Sequence, residues 1–306
     1  MRWLDHRSPV PAPLRGAIIA LGNFDGFHLG HQAVAGEAVR WAREQGRPAI
    51  VATFDPHPVR WFKPDVPPFR LTTLEQRQEL YLAAGAAAML VFHFDAVLAG
   101  TSADDFVRTI LLDRLGAHGV VTGEDFTYGK GAAGNVAHLR TFGDRLAVRT
   151  VGAVMDGGAP VSSSRIRTAL RDRNPQEAAR LLTRPFAVRG IVEHGDKRGR
   201  TIGYPTANLS MESYLRPAYG IYAVTGRILA TGEVLRGAAN IGVRPQFEPP
   251  KELLEPYFFD FSGDLYGQEI EVAFHHFLRG EARFDTLEAL KQQMERDCAE
   301  ARALLA

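Results

Sequence analysis

An apolar run, Ala17-Ile18-Ile19-Ala20-Leu21, feeds straight into Gly22-Asn23-Phe24-Asp25-Gly26-Phe27-His28-Leu29-Gly30-His31, and a helical spacing of apolar residues leaves it. Strand, tight glycine turn, helix start is the order this implies. Backbone N–H groups at a helix start point toward an anion, and Gly22, Gly26 and Gly30 let a phosphate approach with no Cβ in the way. His28 and His31 are three apart, so on a helix they share a face, where two imidazoles can donate hydrogen bonds to one phosphate group. The stretch reads as a nucleotide-handling site. Its spacing is neither Gly-x-Gly-x-x-Gly nor Gly-x-x-x-x-Gly-Lys-Ser/Thr, which disfavours a dehydrogenase-type dinucleotide fold and a P-loop. A zinc pair and ordinary surface histidines stay open, although no Glu follows the first His and no Cys lies nearby.

From His28 to Gln45 the apolar residues Leu29, Val34, Ala38, Val39 and Ala42 fall near helical spacing, Gly46-Arg47-Pro48 stops the pattern, and Ala49 to Phe54 reads as a buried strand. Strand, helix, strand implies a right-handed crossover in a parallel sheet, which puts the first loop at the carboxyl edge where open α/β sheets bind ligands. Thr53-Phe54-Asp55-Pro56-His57-Pro58 leaves the strand at that edge, and the proline-rich stretch from there to Phe69 is a long loop with no regular structure expected. Phe54, Trp61 and Phe62 there can cover a planar ring or simply pack together. Thr73 with Gln76 forms a capping-box pattern for a helix through Ala84. A strand at Ala88–Phe92, a helix at Ser102–Leu115 and strands at His118–Thr122 and Arg145–Val151 continue the alternation, giving a doubly wound α/β domain. Val161-Ser162-Ser163-Ser164-Arg165-Ile166-Arg167 then opens a helix through Arg171. It reads either as a second phosphate-binding element or as a serine cap with solvated arginines.

A chain of 306 residues has room for two domains, and after a short amphipathic helix at Asn174–Leu182 the stretch Thr183-Arg184-Pro185 marks a boundary between 1–183 and 184–306. Beyond it come successive strands: Phe186–Val192, Gly220–Val224, Leu235–Ile241 and Ile270–Phe274, a pattern that suggests a small antiparallel barrel. A last helix, Thr286–Leu304, is capped by Asp285 or Thr286 and carries an apolar stripe at Leu287, Leu290, Met294 and Cys298. Within the barrel, the run Gly195 to Asn208 combines glycines, Lys197, Arg198 and Arg200 with Thr206 and Asn208. That set offers backbone donors and positive charge for phosphates, and oxygen ligands suited to magnesium.

Composition limits the partners. Lys+Arg 36 against Asp+Glu 35 leaves a formal charge of +1, so no bulk attraction to nucleic acid or to an anionic membrane is expected, and any phosphate binding must be local. The single cysteine, Cys298, excludes an internal disulfide and fits a reducing, cytoplasmic compartment. The longest apolar stretch, Leu82 to Phe94, is too short and interrupted to span a bilayer, and the first residues lack a secretory apolar region. No obligate protein partner is evident.

The string from Gly22 to Gln32 resembles the first motif of the nucleotidyltransferase superfamily in its bacterial FAD synthetase branch, whose members join an adenylyltransferase module to a riboflavin kinase module. The resemblance implies that Gly22, Asn23, Phe24 and Gly30 contact ATP and that His28 and His31 act on its phosphates. Gly123 to Gly131 resembles the family's Gly-x-Asp/Asn-Phe-x-Phe/Tyr-Gly loop, which implies that Asp125 and Tyr128 contact the flavin, as Phe54 and Phe62 do; Ala132 stands where a basic residue is common. Val161 to Arg167 is similar to the Ile-Ser-Ser-Thr-x-Ile-Arg motif, with Ser164 for Thr, and implies phosphate contacts for Ser163, Ser164 and Arg165.

The run Gly195 to Asn208 resembles the riboflavin kinase nucleotide loop. This implies ATP contacts at Gly195, Lys197, Arg198, Gly199 and Gly203, and metal and phosphate positions at Thr206 and Asn208. Glu255 aligns with the family's catalytic glutamate, although Pro256-Tyr257 follow where Val-His is common and Gln246 replaces a usual Thr. Leu278 to Phe284 resembles the flavin-side segment, implying roles for Arg279 and Glu281. The implied chemistry is phosphorylation of riboflavin to FMN by ATP with Mg2+, then adenylylation of FMN to FAD with release of pyrophosphate. A kinase with a degenerate adenylyltransferase domain and a flavin-nucleotide sensor are the rival readings. The presence of Glu255 together with Thr206 and Asn208 argues against the sensor.

Overall fold

Ile18–Leu21 (β2) is a strand whose four residues are at most 1% exposed. A continuous apolar run of this kind belongs in the middle of a parallel sheet covered on both faces. The computed structural model describes residues 3–194, 203–244 and 251–306, and it falls into two units: Met1–Val66 with Thr73–Ser162, and Pro67–Thr72 with Ser163–Ala306.

In the first unit β2 is followed by Leu29–Glu44 (α1), Ala49–Asp55 (β3), Leu74–Ala83 (α2), Ala88–His93 (β4), Gly119–Gly123 (β5) and Ala147–Val151 (β6); Leu4–Asp5 (β1) adds an edge strand that the sequence pattern did not reveal. The strands are all parallel in the order β1-β4-β3-β2-β5-β6. The chain builds outward from β2 to one side, through β3 and β4, then returns to its other side with β5. The loop after β2 therefore leaves the sheet at its topological switch point.

The face of α1 that packs on the sheet is Val34, Ala35, Ala38, Trp41 and Ala42, the spacing of one helical stripe. Close packing of Trp41 explains Gly119 in β5, where a Cβ would come 2.5 Å from the indole Cη2. The expected capping box is present: Gln76 N–H donates to Thr73 Oγ1 (3.3 Å) and Thr73 N–H to Gln76 Oε1 (3.0 Å).

Two expectations need correction. The proline-rich stretch after β3 is not wholly irregular, because Pro58–Phe62 forms a short helix. Pro58 sits in the first turn, where its missing N–H costs nothing, and His57 Nδ1 accepts the Val59 N–H (3.2 Å). The single helix expected at Ser102–Leu115 is one α-turn, Ala103–Asp105, capped by Ser102, and then a π-helix over Phe106–Arg114. Its end is marked by Leu115 N–H donating to the carbonyl five residues back, at Ile110 (2.9 Å).

The second unit opens with the helices Ser163–Arg171 (α3) and Pro175–Leu182 (α4), then builds an antiparallel sheet of six strands where four were expected. These are Phe186–Ile191 (β7), Leu209–Ser210 (β8), Gly220–Ile228 (β9), Val234–Arg244 (β10), Lys251–Phe258 (β11) and Glu269–Arg279 (β12), in the order β7-β12-β9-β10-β11-β8. An antiparallel bridge between Glu193 and Asn208, with Glu193 N–H donating to Asn208 O (2.9 Å), brings the outer strands together, so the sheet is a nearly closed barrel. β11 escaped the sequence pattern because Pro256 and the charged Lys251, Glu252 and Glu255 dilute its apolar alternation.

The last helix, Leu287–Leu304 (α5), is capped by Thr286, whose Oγ1 accepts the Ala289 N–H (3.1 Å). Its Ala301 is buried together with Ala223, Ala238 and Phe259 of the barrel, and Tyr257, Leu278 and the helix's own Cys298 lie alongside. Leu287, expected in the inward stripe, is 56% exposed, and the inward positions farther along are Asp297 and Ala301.

Candidate active sites

In the first unit the loop after β2 turns on left-handed backbone: φ is +46° at Phe24, +87° at Gly26 and +46° at Phe27. Only glycine adopts that region without cost, so two phenylalanines there mark a conformation imposed by surroundings. The surroundings are aromatic. Phe27 lies against Tyr81 (4.9 Å between centroids), and Phe24 meets the His31 ring edge-on (5.2 Å). His28 is the residue before the first turn of α1 and His31 lies within that turn; their rings stack 3.6 Å apart at 23°. The expectation that the two imidazoles share a face is met. Gly30 is where the packing is tight, since a Cβ would stand 3.2 Å from His28 Cε1 and 3.5 Å from Val161 O. Gly22 leaves room for the returning Phe24 ring, which a Cβ would meet at 2.8 Å. The Phe24 side chain is itself buried, so its part in an ATP site is to back His31 or to offer its main chain. Asn23 Oδ1 is buried with no hydrogen-bond partner.

A hydrogen-bonded chain that sequence reasoning missed braces this loop. Thr53 Oγ1, at the end of β3, donates to Asn23 O (2.6 Å). Arg77, from α2, donates through Nη1 to Thr53 Oγ1 (2.9 Å) and through Nη2 to Asp25 Oδ1 (2.8 Å). A buried Arg and Asp far apart in sequence carry no local signal by which to pair them.

The residues expected on the flavin side of this unit separate into buried and exposed groups. Phe54 belongs to β3 rather than to the loop after it, and its ring stacks on Phe92 (5.0 Å, 21°) within the core. Phe62 is 64% exposed and meets Phe94 edge-on (5.7 Å), as Trp61 does (6.4 Å). Asp125 is exposed. Tyr128 is buried in the hairpin that Thr127–Tyr128 forms with Gly134–Asn135; its ring packs on Phe106 (5.2 Å) and Phe126 (5.8 Å), and its hydroxyl bonds His138 Nδ1 (2.6 Å). Burial pushes its phenol pKa well up. Ala132 adopts φ +56° on the same loop.

In the second unit Ser163, Ser164 and Arg165 open α3, whose buried face is Ile166, Ala169 and Leu170. Arg165 Nη2 donates to Glu177 Oε1 on α4 (2.6 Å). Glu177 also takes both Nε (2.9 Å) and Nη2 (2.7 Å) of Arg180, and these contacts, Arg180 first, hold its carboxyl below the ordinary range against the opposing effect of burial. Arg167 is half-buried rather than simply solvated. Its Nε donates to Phe69 O (2.9 Å) and its guanidinium lies over the Phe69 ring (5.0 Å).

The barrel's candidate site lies on its outward face. Alternation along β11 sends Leu254, Pro256 and Phe258 inward and places Glu255 with Tyr257 on the other side. Asn240 on β10 pairs directly with Glu255, and its Nδ2 lies 3.5 Å from Glu255 Oε2; Asn240 Oδ1 is buried with no hydrogen-bond partner. Tyr257, beside the expected base, turns to Tyr204 (5.2 Å) and Phe259 (5.9 Å), under α5. The Glu281 carboxylate lies over Gly242 of β10, where a Cβ would collide with Oε1. Arg279 is committed elsewhere, to Asp297 of α5 through Nε and Nη2. Thr206 is half-buried and Asn208 buried, two apart on extended chain entering β8. Gly203 adopts φ +91°. Gly195, Lys197, Arg198 and Gly199 lie outside the described residues, as does Gln246.

A further cluster supports β11 from the side. Glu252 accepts from Arg216 Nε (2.7 Å) and from the Tyr219 hydroxyl, and Tyr219, raised first by burial and then by that bond, is pushed up to about 12.

The FAD synthetase family model matches residues 10–165 and the riboflavin kinase family model residues 182–305. Proteins named bifunctional riboflavin kinase/FMN adenylyltransferase align along nearly the whole chain. The one from Escherichia coli strain K12 is 37% identical over 294 residues, covering 95% of this chain and 93% of its own. The one from Bacillus subtilis strain 168 is 38% identical over 291 residues, covering 93% and 91%. A crystal structure from Streptococcus pneumoniae named as a macrolide-efflux protein superimposes with a TM-score of 0.85 at 31% identity, over 95% of both chains. Among the described residues no helix is long and apolar enough to cross a membrane. With two family models in the order the motifs required, and relatives of this identity over this length, the chain belongs to the bacterial bifunctional riboflavin kinase/FMN adenylyltransferase family.

Proposed function

We propose that the barrel phosphorylates riboflavin to FMN with ATP and that the α/β domain transfers AMP from a second ATP to FMN, releasing pyrophosphate and forming FAD. The observation that carries this reading is a matched pair. Among the described residues, the buried side-chain oxygens with no hydrogen-bond partner are Asn23 Oδ1, beside the glycine loop, and Asn240 Oδ1, beside Glu255. A buried acceptor without a donor is costly, and bound substrate is the natural source of one. The functional modules are 1–183 and 184–306, divided at Thr183, which ends α4 with φ +64°.

In the kinase step Glu255 takes the proton of the riboflavin 5′-hydroxyl as that oxygen attacks the γ-phosphorus of ATP, and ADP leaves. Asn240 steadies the carboxylate, while Glu281 lies on the flavin side. The run Gly195 to Gly203 holds the triphosphate. Thr206 and Asn208 supply a hydroxyl and an amide oxygen, hard ligands of the kind Mg2+ takes. When bound there, the ion would offset the charge of the phosphates.

In the adenylyl step a phosphate oxygen of FMN attacks the α-phosphorus of ATP and the β–γ diphosphate departs, with no covalent protein intermediate. His28 and His31 donate to oxygens on which charge builds, and the α3 start, Ser163, Ser164 and Arg165, is the second phosphate-binding element. Asp125 and the aromatic patch around Phe62 are the flavin contacts. A cytoplasmic location fits the lone reduced cysteine. Incubating the chain with riboflavin and Mg-ATP and separating the products tests the whole reading: FMN then FAD is expected. FMN that accumulates without FAD would leave only the kinase.

A further inference from the structure

We infer that Arg77 is a positioning residue for adenylyl transfer, acting through the main chain of the Gly22–Phe27 loop. This rests on the reading of that loop as the ATP site.

Three observations converge on it. Phe24 and Phe27 both hold left-handed backbone, so the loop conformation that carries His28 and His31 is not the one its own residues prefer. Arg77 then reaches that loop by two routes at once: Nη2 to the Asp25 carboxylate, and Nη1 through Thr53 Oγ1 to the Asn23 carbonyl. Finally, the Arg77 and Asp25 side chains are each only 2% exposed. A buried ion pair contributes little to stability compared with a well-packed apolar pair of the same size. What it supplies is geometry, since a planar guanidinium fork fixes two acceptors in one relative arrangement where a lysine ammonium is a single flexible point.

The consequence is that Asn23 and Asp25, on either side of the strained Phe24, are tied to one rigid group on α2. The stacked imidazoles that follow inherit their position from that tie. Displacing reacting groups by about 1 Å can cost on the order of a hundredfold in rate. The loop restraint is therefore felt at the chemical step more than in ATP binding.

The test uses the full chain, with FMN and ATP as substrates for FAD formation and riboflavin phosphorylation as the internal control for a folded, active protein. Arg77→Lys keeps the charge and loses the fork; Thr53→Val keeps the shape and the ion pair and loses the hydroxyl. Both are expected to lower kcat for FAD formation about tenfold or more while KM for ATP stays within about threefold, with the kinase rate unchanged. Arg77→Lys at the wild-type kcat overturns the inference. So does a loss matched by an equal loss of folded protein in circular dichroism, which is what a purely structural role gives. Should Arg77→Lys fold poorly, Thr53→Val decides by the same two criteria. His31→Ala separates the two levels of the argument. FAD formation that survives His31→Ala removes the ATP-site reading, whereas its loss there with wild-type rates in Arg77→Lys and Thr53→Val removes only the role of Arg77.

Discussion

Arg279, at the end of β12, holds the buried carboxylate of Asp297 on α5 through two parallel bonds, Nε to Oδ1 at 2.9 Å and Nη2 to Oδ2 at 2.7 Å. Gln293 Nε2 donates to the same carboxylate (2.8 Å). Family resemblance put Arg279 beside the flavin, yet its guanidinium is spent on fastening the C-terminal helix to the barrel. Removing either partner of a buried, bidentate pair leaves the other charge stranded, at a cost of about 3 kcal/mol. Arg279→Ala and Asp297→Ala should therefore each weaken the docking of α5, and the double variant should be little worse than either. A double-mutant cycle on urea unfolding of the kinase domain measures the coupling. Additive losses would show that the two residues act independently.

Cys298 provides a second, local view of the same docking. Burial first, and then the neighbouring Asp297 charge, push its thiol up from about 9 to about 11. Alkylation should accordingly be slow at pH 8 and accelerate only toward pH 11, and Asp297→Ala, which removes the smaller of the two causes and loosens α5, should speed it at pH 8. The sign for stability follows from the same shift. Between pH 9 and 11 the unfolded chain gives up a proton that the folded one keeps, so this group favours unfolding progressively as pH rises through that window. The rate of iodoacetamide labelling against pH reads the first effect, and urea unfolding compared at pH 9 and pH 11, for the chain and for Cys298→Ala, reads the second.

Tyr128 separates a structural from a flavin-contacting role. Its hydroxyl is engaged by His138 (2.6 Å) and its ring is enclosed by Phe106 and Phe126. Tyr128→Phe should cost about 1 kcal/mol in unfolding of the N-terminal domain, the value of one buried hydrogen bond, while KM for FMN stays within about twofold. A rise in KM with no change in stability would return Tyr128 to the flavin.

Asn240 is expected to matter through Glu255. Asn240→Leu removes both the donor to Glu255 and the buried Oδ1, and should lower the kinase kcat about tenfold, with KM for ATP nearly unchanged. Steady-state kinetics of FMN formation from riboflavin checks it.

What could be read from the sequence was whatever depends on neighbours along the chain. The Thr73–Gln76 capping box, the apolar β2, and the turn and helix start that bring His28 and His31 together are local, and the structure has each of them. β11 was hidden because its charged and proline positions mix the barrel interior with the face that carries Glu255, so its alternation is not one of hydrophobicity. The π-helical stretch at Phe106–Arg114 has no composition of its own. Arg77 with Asp25, Arg279 with Asp297, and Asn240 with Glu255 are partnerships made by topology, between elements that meet only once the sheet or barrel has formed. Without a fold, Arg279 reads as one more cation in a flavin-side motif.

The two chemical steps are expected to belong to different residues in different domains, and a pair of single substitutions assayed on the two half-reactions tests this most directly. His31→Ala should form FMN from riboflavin at the normal rate and fail to carry it to FAD. Glu255→Gln should lose about a hundredfold or more of riboflavin phosphorylation and still convert added FMN to FAD. Mixing the two proteins should restore the route from riboflavin to FAD. FAD formation that persists in His31→Ala, or FMN formation that persists in Glu255→Gln, would contradict the account.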